Sequence, residues 1–380
     1  MTKHILIISS ELFSLINFRG SLIRHLIDAG HTVTALAPKD KYSNHDTIQK
    51  LKGIGVTIMS YSLSRTGLNP FKDYSSYKSI YHAISQCKPD VVIAYTAKPV
   101  IYTGMVMKYF PEISFFPIIT GLGYGFTEVD GIKRKVIRRL MIVLYRVGLK
   151  NADSIIFQNP DDKKLFIKLK IITKNLSSHI VHGSGVDLNL YPFSPLPKKP
   201  IFLMLARLLI DKGVREYAEA ASLVKVKFPQ AVFQLAGRLD SNPSSISSNE
   251  LNFWIKKKFI QYLGEISSVQ KSITNCRFYV LPSYREGTPR SVLEAMASGR
   301  PIITTDVPGC RETVTHGKNG LLVPPKNSKS LAIAMIQLLE EKEDKIQSMG
   351  RESFILTKDK YDVEIVNKNI IEIMNLKTKS

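Results

Sequence analysis

Two short segments of this 380-residue chain carry side chains suited to a phosphorylated, hydroxyl-bearing ligand. The first follows the apolar run Ile201–Ala206 and reads Arg207-Leu-Leu-Ile-Asp-Lys212-Gly213. If the run is a strand, Arg207 stands at its end and Lys212 at the opening of the next helix. Two cations and a helix N-terminus then converge on one point, which suits a diphosphate. The alternative is two surface cations on a basic protein. The second segment follows Phe278–Leu281 and holds Glu286 in a loop and Glu294 on the helix after it. Eight helical residues span on the order of 12 Å, too far to share a proton or a metal. Two carboxylates at that spacing can instead grip the two ends of an extended ligand by accepting from its hydroxyls. Against this, Glu286 could simply complement a helix dipole, and Glu294 could lie on a solvated helix face.

Other candidates are weaker. After the first apolar run come Ser9-Ser10-Glu11, and Asn17-Phe18-Arg19-Gly20 reads as opening a helix. Gly121-Leu-Gly123-Tyr-Gly125 follows another apolar run and could bring backbone amides close to a ligand, or be a turn without one. It is not G-x-G-x-x-G, so it is no dinucleotide signature. His4, His25, His31, His179 and His316 show no metal spacing, while His182 sits beside Gly183. No D-x-D triplet occurs. Cys87, Cys276 and Cys310 are distant and form no C-x-x-C pair, which fits free thiols in a reducing compartment. No base partner is visible for Cys310, so it is assigned no nucleophilic role.

The elements that position these residues follow from short apolar runs alternating with amphipathic ones. Ile5–Ile8, Val33–Ala37, Val56–Met59, Val91–Tyr95, Phe115–Ile119, Ser154–Phe157 and His179–Val181 read as strands. They lack a polar alternation, so both faces should be covered, as in a parallel sheet flanked by helices. Ser21–Ala29 and Ile132–Lys150 read as helices. The stretch Tyr191–Pro200 holds four prolines and reads as a linker. The pattern then resumes with strands at Ile201–Ala206, Val232–Ala236, Phe259–Leu263, Phe278–Leu281 and Pro301–Thr304, and helices at Gly213–Lys227 and Ser291–Ala297. Ser241–Ser248 reads as a loop and Ser328–Met374 as mostly helical. Two α/β units of similar size point to two Rossmann-like domains. Ligands bind such sheets at the carboxyl ends of their strands, where the residues named above lie.

Composition sets the outer limits. The chain is 44% hydrophobic and 22% charged, which excludes a disordered chain, and three cysteines exclude a disulfide scaffold. No stretch reaches the ~18–20 consecutive apolar residues of a membrane span, and the first apolar run is too short for a signal peptide, so the cytosol is expected.

Arg207-x4-Lys212 followed by Glu286-x7-Glu294 resembles the donor site of family 4 glycosyltransferases, which are retaining enzymes of the GT-B fold. Gly183–Asp187, Leu235–Asp240, Tyr262–Glu265 and Thr305–Glu312 also fit, and the bacterial branch that extends lipid-linked glycans is the most similar. The resemblance implies an α/β GT-B chain, two Rossmann-like domains facing across a cleft. Residues 1–184 would form the acceptor-side domain, with the C-terminal helix 357–380 packing back on it, and residues 185–356 the nucleotide-sugar domain. Arg207 and Lys212 would bind the donor diphosphate and Glu286 the transferred sugar. Glu294 would accept from the ribose, and backbone near Tyr262 and Gly264 would meet the base. Gly287 and Thr288 would offer amides to phosphate or sugar oxygens, with Gly183 at the domain crossover. Asn17, Arg19, Gly121 and Gly123 would face the acceptor or the phosphates. The donor would be a UDP-sugar carrying an N-acetylhexosamine, with N-acetylgalactosamine the first candidate, and the acceptor an undecaprenyl-diphosphate-linked glycan. No cofactor and no metal are implied, because Arg207 and Lys212 would take the metal's place. Thr120 stands where many members carry a histidine.

The 53 basic and 32 acidic residues leave a net charge of +21, and residues 1–190 alone carry 25 and 13. Residues 131–150 hold seven cations and no acid. Ile132, Val136, Leu140, Val143 and Leu144 fall at helical spacing there, so the segment reads as a helix lying on an anionic membrane, peripheral to the inner face. An ordinary packed helix with a solvated basic face is the alternative. Two competing readings of the whole chain are a nucleic-acid-binding protein, for which no module signature is present, and a nucleotide-sugar epimerase of the same shape. No nucleic-acid partner is expected.

Overall fold

The computed structural model describes residues 2–39, 45–64, 69–122, 126, 132–239 and 244–376 (for 132–134 the backbone alone). The chain forms two compact units, residues 1–184 with 366–380, and residues 185–365. In the first unit the order is β1 (His4–Ile8), α1 (Leu12–Asp28), β2 (Thr32–Ala37), α2 (His45–Gly53), β3 (Thr57–Ser60), α3 (Pro70–Cys87), β4 (Val91–Tyr95), α4 (Ala97–Val106), β5 (Ser114–Ile119), α5 (Ile132–Gly148), β6 (Ile155–Phe157), α6 (Pro160–Lys168) and β7 (Ser178–Ile180). The second unit runs β8 (Ile201–Leu205), α7 (Val214–Lys227), β9 (Val232–Ala236), α8 (Ser248–Lys256), β10 (Gln261–Gly264), α9 (Val269–Asn275), β11 (Phe278–Leu281), α10 (Arg290–Ala297), β12 (Ile302–Thr305), β13 (Gly320–Val323), α11 (Ser328–Glu340) and α12 (Glu343–Leu356). The last helix, α13 (Val363–Ile373), lies almost wholly in the first unit.

Both sheets are parallel throughout, in the orders β3-β2-β1-β4-β5-β6-β7 and β10-β9-β8-β11-β12-β13. The strand order reverses between β1 and β4 in one sheet and between β8 and β11 in the other. Crossovers leave for opposite faces there, which opens a crevice at the carboxyl ends. Alternate residues of β1 enter opposite cores. Leu6 and Ile8 join Val92, Phe115 and Phe157, while Ile5 and Ile7 join Val33, Val91 and Ile93. Burial on both faces explains why these strands read as unbroken apolar runs. α13 contributes Val366, Ile370 and Ile371 to the second of these cores, and the Asn367 side-chain amide donates to the Ser21 hydroxyl at 3.0 Å. In the second unit the rings of Phe233 and Phe278 stack on Phe202 at 5.0 and 4.8 Å.

The structure changes several local expectations. α1 opens at Leu12, so Asn17 and Arg19 lie in mid-helix; the Ser14 hydroxyl donates to the Glu11 carbonyl at the helix entrance. Lys212 belongs to a 3₁₀ turn, Ile210–Lys212, ahead of α7. Ser247 and Glu250 form a capping box that starts α8 at Ser248, inside what reads as a loop; residues 241–243 are outside the described residues. β13 was not anticipated. The proline-rich stretch is not a free linker. Arg300, fully buried, donates to the Ser194, Pro195, Ile273 and Thr274 carbonyls and to the Ser194 hydroxyl, which fastens that stretch to the second unit. Replacing Arg300 with Met removes donors from several buried carbonyls and is expected to lower the unfolding free energy by about 3 kcal/mol, seen as a lower urea midpoint.

Candidate active site

At the strand reversal of the second unit, the loops leaving β8 and β11 are stitched together. Past β8, the Leu208 amide donates to the Arg238 carbonyl and Ile210 to Ser244. The chain then turns through Ile210–Lys212 to Gly213, whose φ of +75° suits glycine. A Cβ on Gly213 would lie 2.1 Å from the Pro282 carbonyl oxygen, so only glycine lets this turn meet the end of β11. Across the seam, Tyr284 donates its amide to the Asp211 carbonyl at 2.8 Å and its hydroxyl to Glu216 Oε1 at 2.6 Å. These bonds bring Lys212 Nζ to 2.5 Å from Glu286 Oε1, with both side chains largely buried. Ser283 also donates to Glu286 Oε1, at 2.7 Å. The loop after β12 holds Glu286 from the other side: its amide donates to the Pro308 carbonyl, and a Cβ on Gly309 would strike the Glu286 carbonyl oxygen at 2.3 Å. Cys310 beneath it is fully buried, and burial, reinforced by the charge of Glu286, pushes its thiol up to about 12. Such a thiol is not a nucleophile at neutral pH.

Of the other expected residues of this unit, Arg207, Tyr262 and Gly264 lie at strand ends, and Glu294 lies within α10. Arg207 is exposed just past β8. Gly287 is buried and Thr288 half-buried, directly before α10. Tyr262 on β10 donates its hydroxyl to the Gly237 carbonyl at 2.8 Å, and Gly264 follows with open space around its Cα. Glu294 is not on a solvated face: it is 8% exposed, bonded by Arg290 Nε at 2.9 Å and by the Tyr191 hydroxyl. Burial pushes its carboxyl up, and Arg290 and Tyr191 draw it back down. A diphosphate carried by Lys212 with Arg207, and hydroxyls taken by the two glutamates, are within the chemistry of this set. Sequence reasoning overlooked Ser283, Tyr284, Arg290 and Tyr191. The signal for the first two was their place between β11 and Glu286.

In the first unit, Asn17 is half-buried on α1, and Arg19 is 2% exposed with its guanidinium 5.1 Å from the centre of the Tyr95 ring. Tyr95 ends β4, and its hydroxyl lies 3.0 Å from that of Ser14, while Tyr61 donates to the Ser9 carbonyl at the end of β1. This buried hydroxyl group sits at the reversal of the first sheet and was also overlooked. Gly121 has φ +122° just past β5, and Gly123 is outside the described residues. Gly183 has φ +74° and donates to the Val181 carbonyl. Among the described residues no cluster of three or more His, Cys, Asp or Glu could hold a metal ion.

Comparison with known proteins follows this geometry. Residues 6–159 match the family described as glycosyl transferase 4-like, and residues 192–353 match glycosyl transferases group 1. The chain is 31% identical over 344 residues to the N,N'-diacetylbacillosaminyl-diphospho-undecaprenol alpha-1,3-N-acetylgalactosaminyltransferase of Campylobacter jejuni, covering 86% of this chain and 87% of that one. It is 24% identical to the UDP-Gal:alpha-D-GlcNAc-diphosphoundecaprenol alpha-1,3-galactosyltransferase of Escherichia coli, covering 78% and 81%. Among solved structures, Anabaena HepE in complex with UDP superposes with a TM-score of 0.76 over 99% of this chain and 100% of that one, at 17% identity. Sucrose-phosphate synthase from Thermosynechococcus elongatus gives 0.77 over 98% of each, also at 17%. At that identity the likeness is one of fold.

The Lys212–Glu286 pair makes a direct prediction. Glu286→Gln removes the carboxylate that competes for the ammonium, so inorganic pyrophosphate is expected to bind about tenfold more tightly by calorimetry, whereas Lys212→Ala should lose that binding.

Proposed function

The chain belongs to the glycosyl transferases group 1 and is a glycosyltransferase of the GT-B fold; on that premise we propose that it moves an N-acetylhexosamine, N-acetylgalactosamine first among them, from a UDP-sugar to a glycan carried on a polyprenyl diphosphate, with retention at the anomeric carbon. The observation that carries this reading is the seam at the β8–β11 reversal, where Lys212, on the loop that Arg207 opens, is held to Glu286. The relatives add support for the acceptor, since the C. jejuni and E. coli proteins are both named for diphospho-undecaprenol substrates. HepE supports the nucleotide through its UDP complex.

In the proposed reaction the donor diphosphate lies on Arg207 and Lys212, and Lys212 exchanges Glu286 for phosphate oxygen. Glu286 then takes hydroxyls of the sugar, and Glu294 those of the ribose. Amides of Gly287 and Thr288 meet phosphate or sugar oxygens, and backbone near Tyr262 and Gly264 meets the base. The acceptor hydroxyl attacks the anomeric carbon on the face the diphosphate leaves. A new C–O bond forms as the bond to the diphosphate breaks, and the hydroxyl proton passes to the departing phosphate oxygen. No covalent enzyme intermediate forms. Negative charge grows on the leaving UDP, so Lys212, held in a largely dry seam, together with the exposed Arg207, is the main source of rate acceleration. Replacing Lys212 with Ala is expected to cut kcat by about 10²–10³-fold in protein that remains folded by circular dichroism, although with a lower melting temperature because Glu286 loses its partner. The substrate assignment is tested by offering a panel of nucleotide sugars with a short polyprenyl-diphosphate-linked acceptor and reading products by mass spectrometry. Transfer from UDP-N-acetylgalactosamine or another UDP-hexosamine is the expected result, and no transfer to any lipid-linked acceptor would overturn the reading.

A lipid-borne acceptor asks for membrane contact, and α5 supplies a surface for it. Val136, Leu140, Val143 and Val147 are 57, 41, 51 and 49% exposed, one turn apart along one side of the helix. Lys135, Arg138, Arg139 and Arg146 are exposed around them. Leu144 is half-buried instead, and the opposite side meets α4 where Gly104 and Gly148 leave no room for a side chain. Among the described residues no helix is long and apolar enough to cross a membrane. We therefore place α5 in the headgroup layer of the anionic inner face of the cell membrane, each cation adding ~1 kcal/mol. The protein is expected to sediment with anionic and not with neutral liposomes, and the double change Val136→Asp with Leu140→Asp to abolish that. Equal, negligible binding to both lipids would remove the membrane assignment.

A further inference from the structure

Glu294 owes its setting to a neighbour whose place in the helix is unfavourable. Arg290 is the first residue of α10, an eight-residue helix with no acid in its first turn. A cation there opposes the helix dipole, and a cation four residues before an acid is the weaker order of such a pair. The contact is therefore not explained by helix stability. What it does do is hold a carboxylate that burial alone would favour in its neutral form. Arg290 Nε donates to Oε1 at 2.9 Å, with the two side chains 23% and 10% exposed. Tyr191, 7% exposed in the proline-rich stretch before β8, donates its hydroxyl to the same carboxylate. Among the described residues, Tyr279 of β11 also feels the charge of Glu294, and its own hydroxyl is turned to the Leu205 carbonyl. Two donors from two parts of the chain thus leave the carboxylate little rotational freedom.

We propose that Arg290 is a positioning residue for the nucleotide sugar: acting through Glu294, and seconded by Tyr191, it holds and aims the carboxylate that accepts from the ribose hydroxyls. The proposal rests on the ribose assignment of Glu294 made above. It has a consequence that a purely structural contact lacks. Without the guanidinium, burial dominates at Glu294, with Tyr191 the one donor left. The carboxyl then takes up its proton at a higher pH than in the parent chain. A protonated carboxyl has lost part of its power to accept from a diol, so donor affinity falls off at a higher pH than in the parent chain.

The test measures UDP binding by calorimetry and steady-state kinetics for Arg290→Met, Arg290→Gln and Arg290→Lys, with thermal melting as the check on folding. Removing Arg290 leaves the buried Glu294 carboxyl without its cation, so a lower melting temperature at neutral pH is expected, and binding is compared below the onset of melting. Arg290→Met and Arg290→Gln are expected to bind UDP about tenfold more weakly, with the loss falling on KM for the donor rather than on kcat, and to lose more at about pH 6 than at about pH 8. Arg290→Lys should recover most of the affinity and the parent's pH profile. Folded Arg290→Met and Arg290→Gln proteins that bind UDP like the parent at both pH values would overturn the proposal. Glu294→Ala separates the two assignments. Weak UDP binding in Glu294→Ala beside parent-like binding in the Arg290 variants removes the positioning role alone. Parent-like binding in Glu294→Ala removes the ribose assignment, and the proposal with it.

Discussion

Lys212 and Glu286 lie 74 positions apart in sequence, yet they bond because β8 and β11 are neighbours in the sheet and every crossover between them runs elsewhere. A parallel sheet delivers loops to one edge, and at a strand reversal it delivers two that no helix separates. Opposite charges in a partly dry setting then attract strongly, provided that the backbones come close enough. The surrounding chemistry serves that approach. Gly213 gives up its side chain to the Pro282 carbonyl, Tyr284 bonds the facing loop twice, and Gly309 backs the Glu286 peptide. A single longer side chain at either glycine would push the loops apart and take the charges with them.

The second sheet position that matters is its counterpart in the first unit, where β1 and β4 reverse. It carries buried hydroxyls and the buried Arg19. The uneven distribution of charge follows the same division. The first half of the chain holds the larger basic excess, and α5 concentrates it around an exposed apolar stripe.

Much of this is legible in the sequence, and for physical reasons. Strands buried on both faces, such as Val91–Tyr95 and Phe278–Leu281, announce themselves as unbroken apolar runs, and their ends locate the loops that carry Arg207, Lys212 and Glu286. Elements held by polar contacts are harder to read. α8 hides behind serines that look like a loop, although Ser247 and Glu250 have the spacing of a capping box. Arg300 is one charged residue after a glycine, and nothing local says that it will be buried among carbonyls from the proline-rich stretch. Arg290 and Glu294 stand at helical spacing, yet the pairing order favours no helix, so the contact and the burial of Glu294 appear only once Tyr191 has folded over them. The apolar set of residues 131–150 has the right period, but Leu144 turns inward and Val147 outward, because α4 and not the solvent decides which side is covered.

The return of α13 to the first unit has a consequence for how the protein is made. Val366, Ile370, Ile371 and Met374 belong to the core around β1, so that core lacks part of its lining until residues 366–374 have left the ribosome. The unit translated first is thus the last to close, while the unit encoded in the middle can complete itself earlier. A nascent chain stalled before α13 would carry an open apolar face over its first strands, accessible to chaperones and proteases.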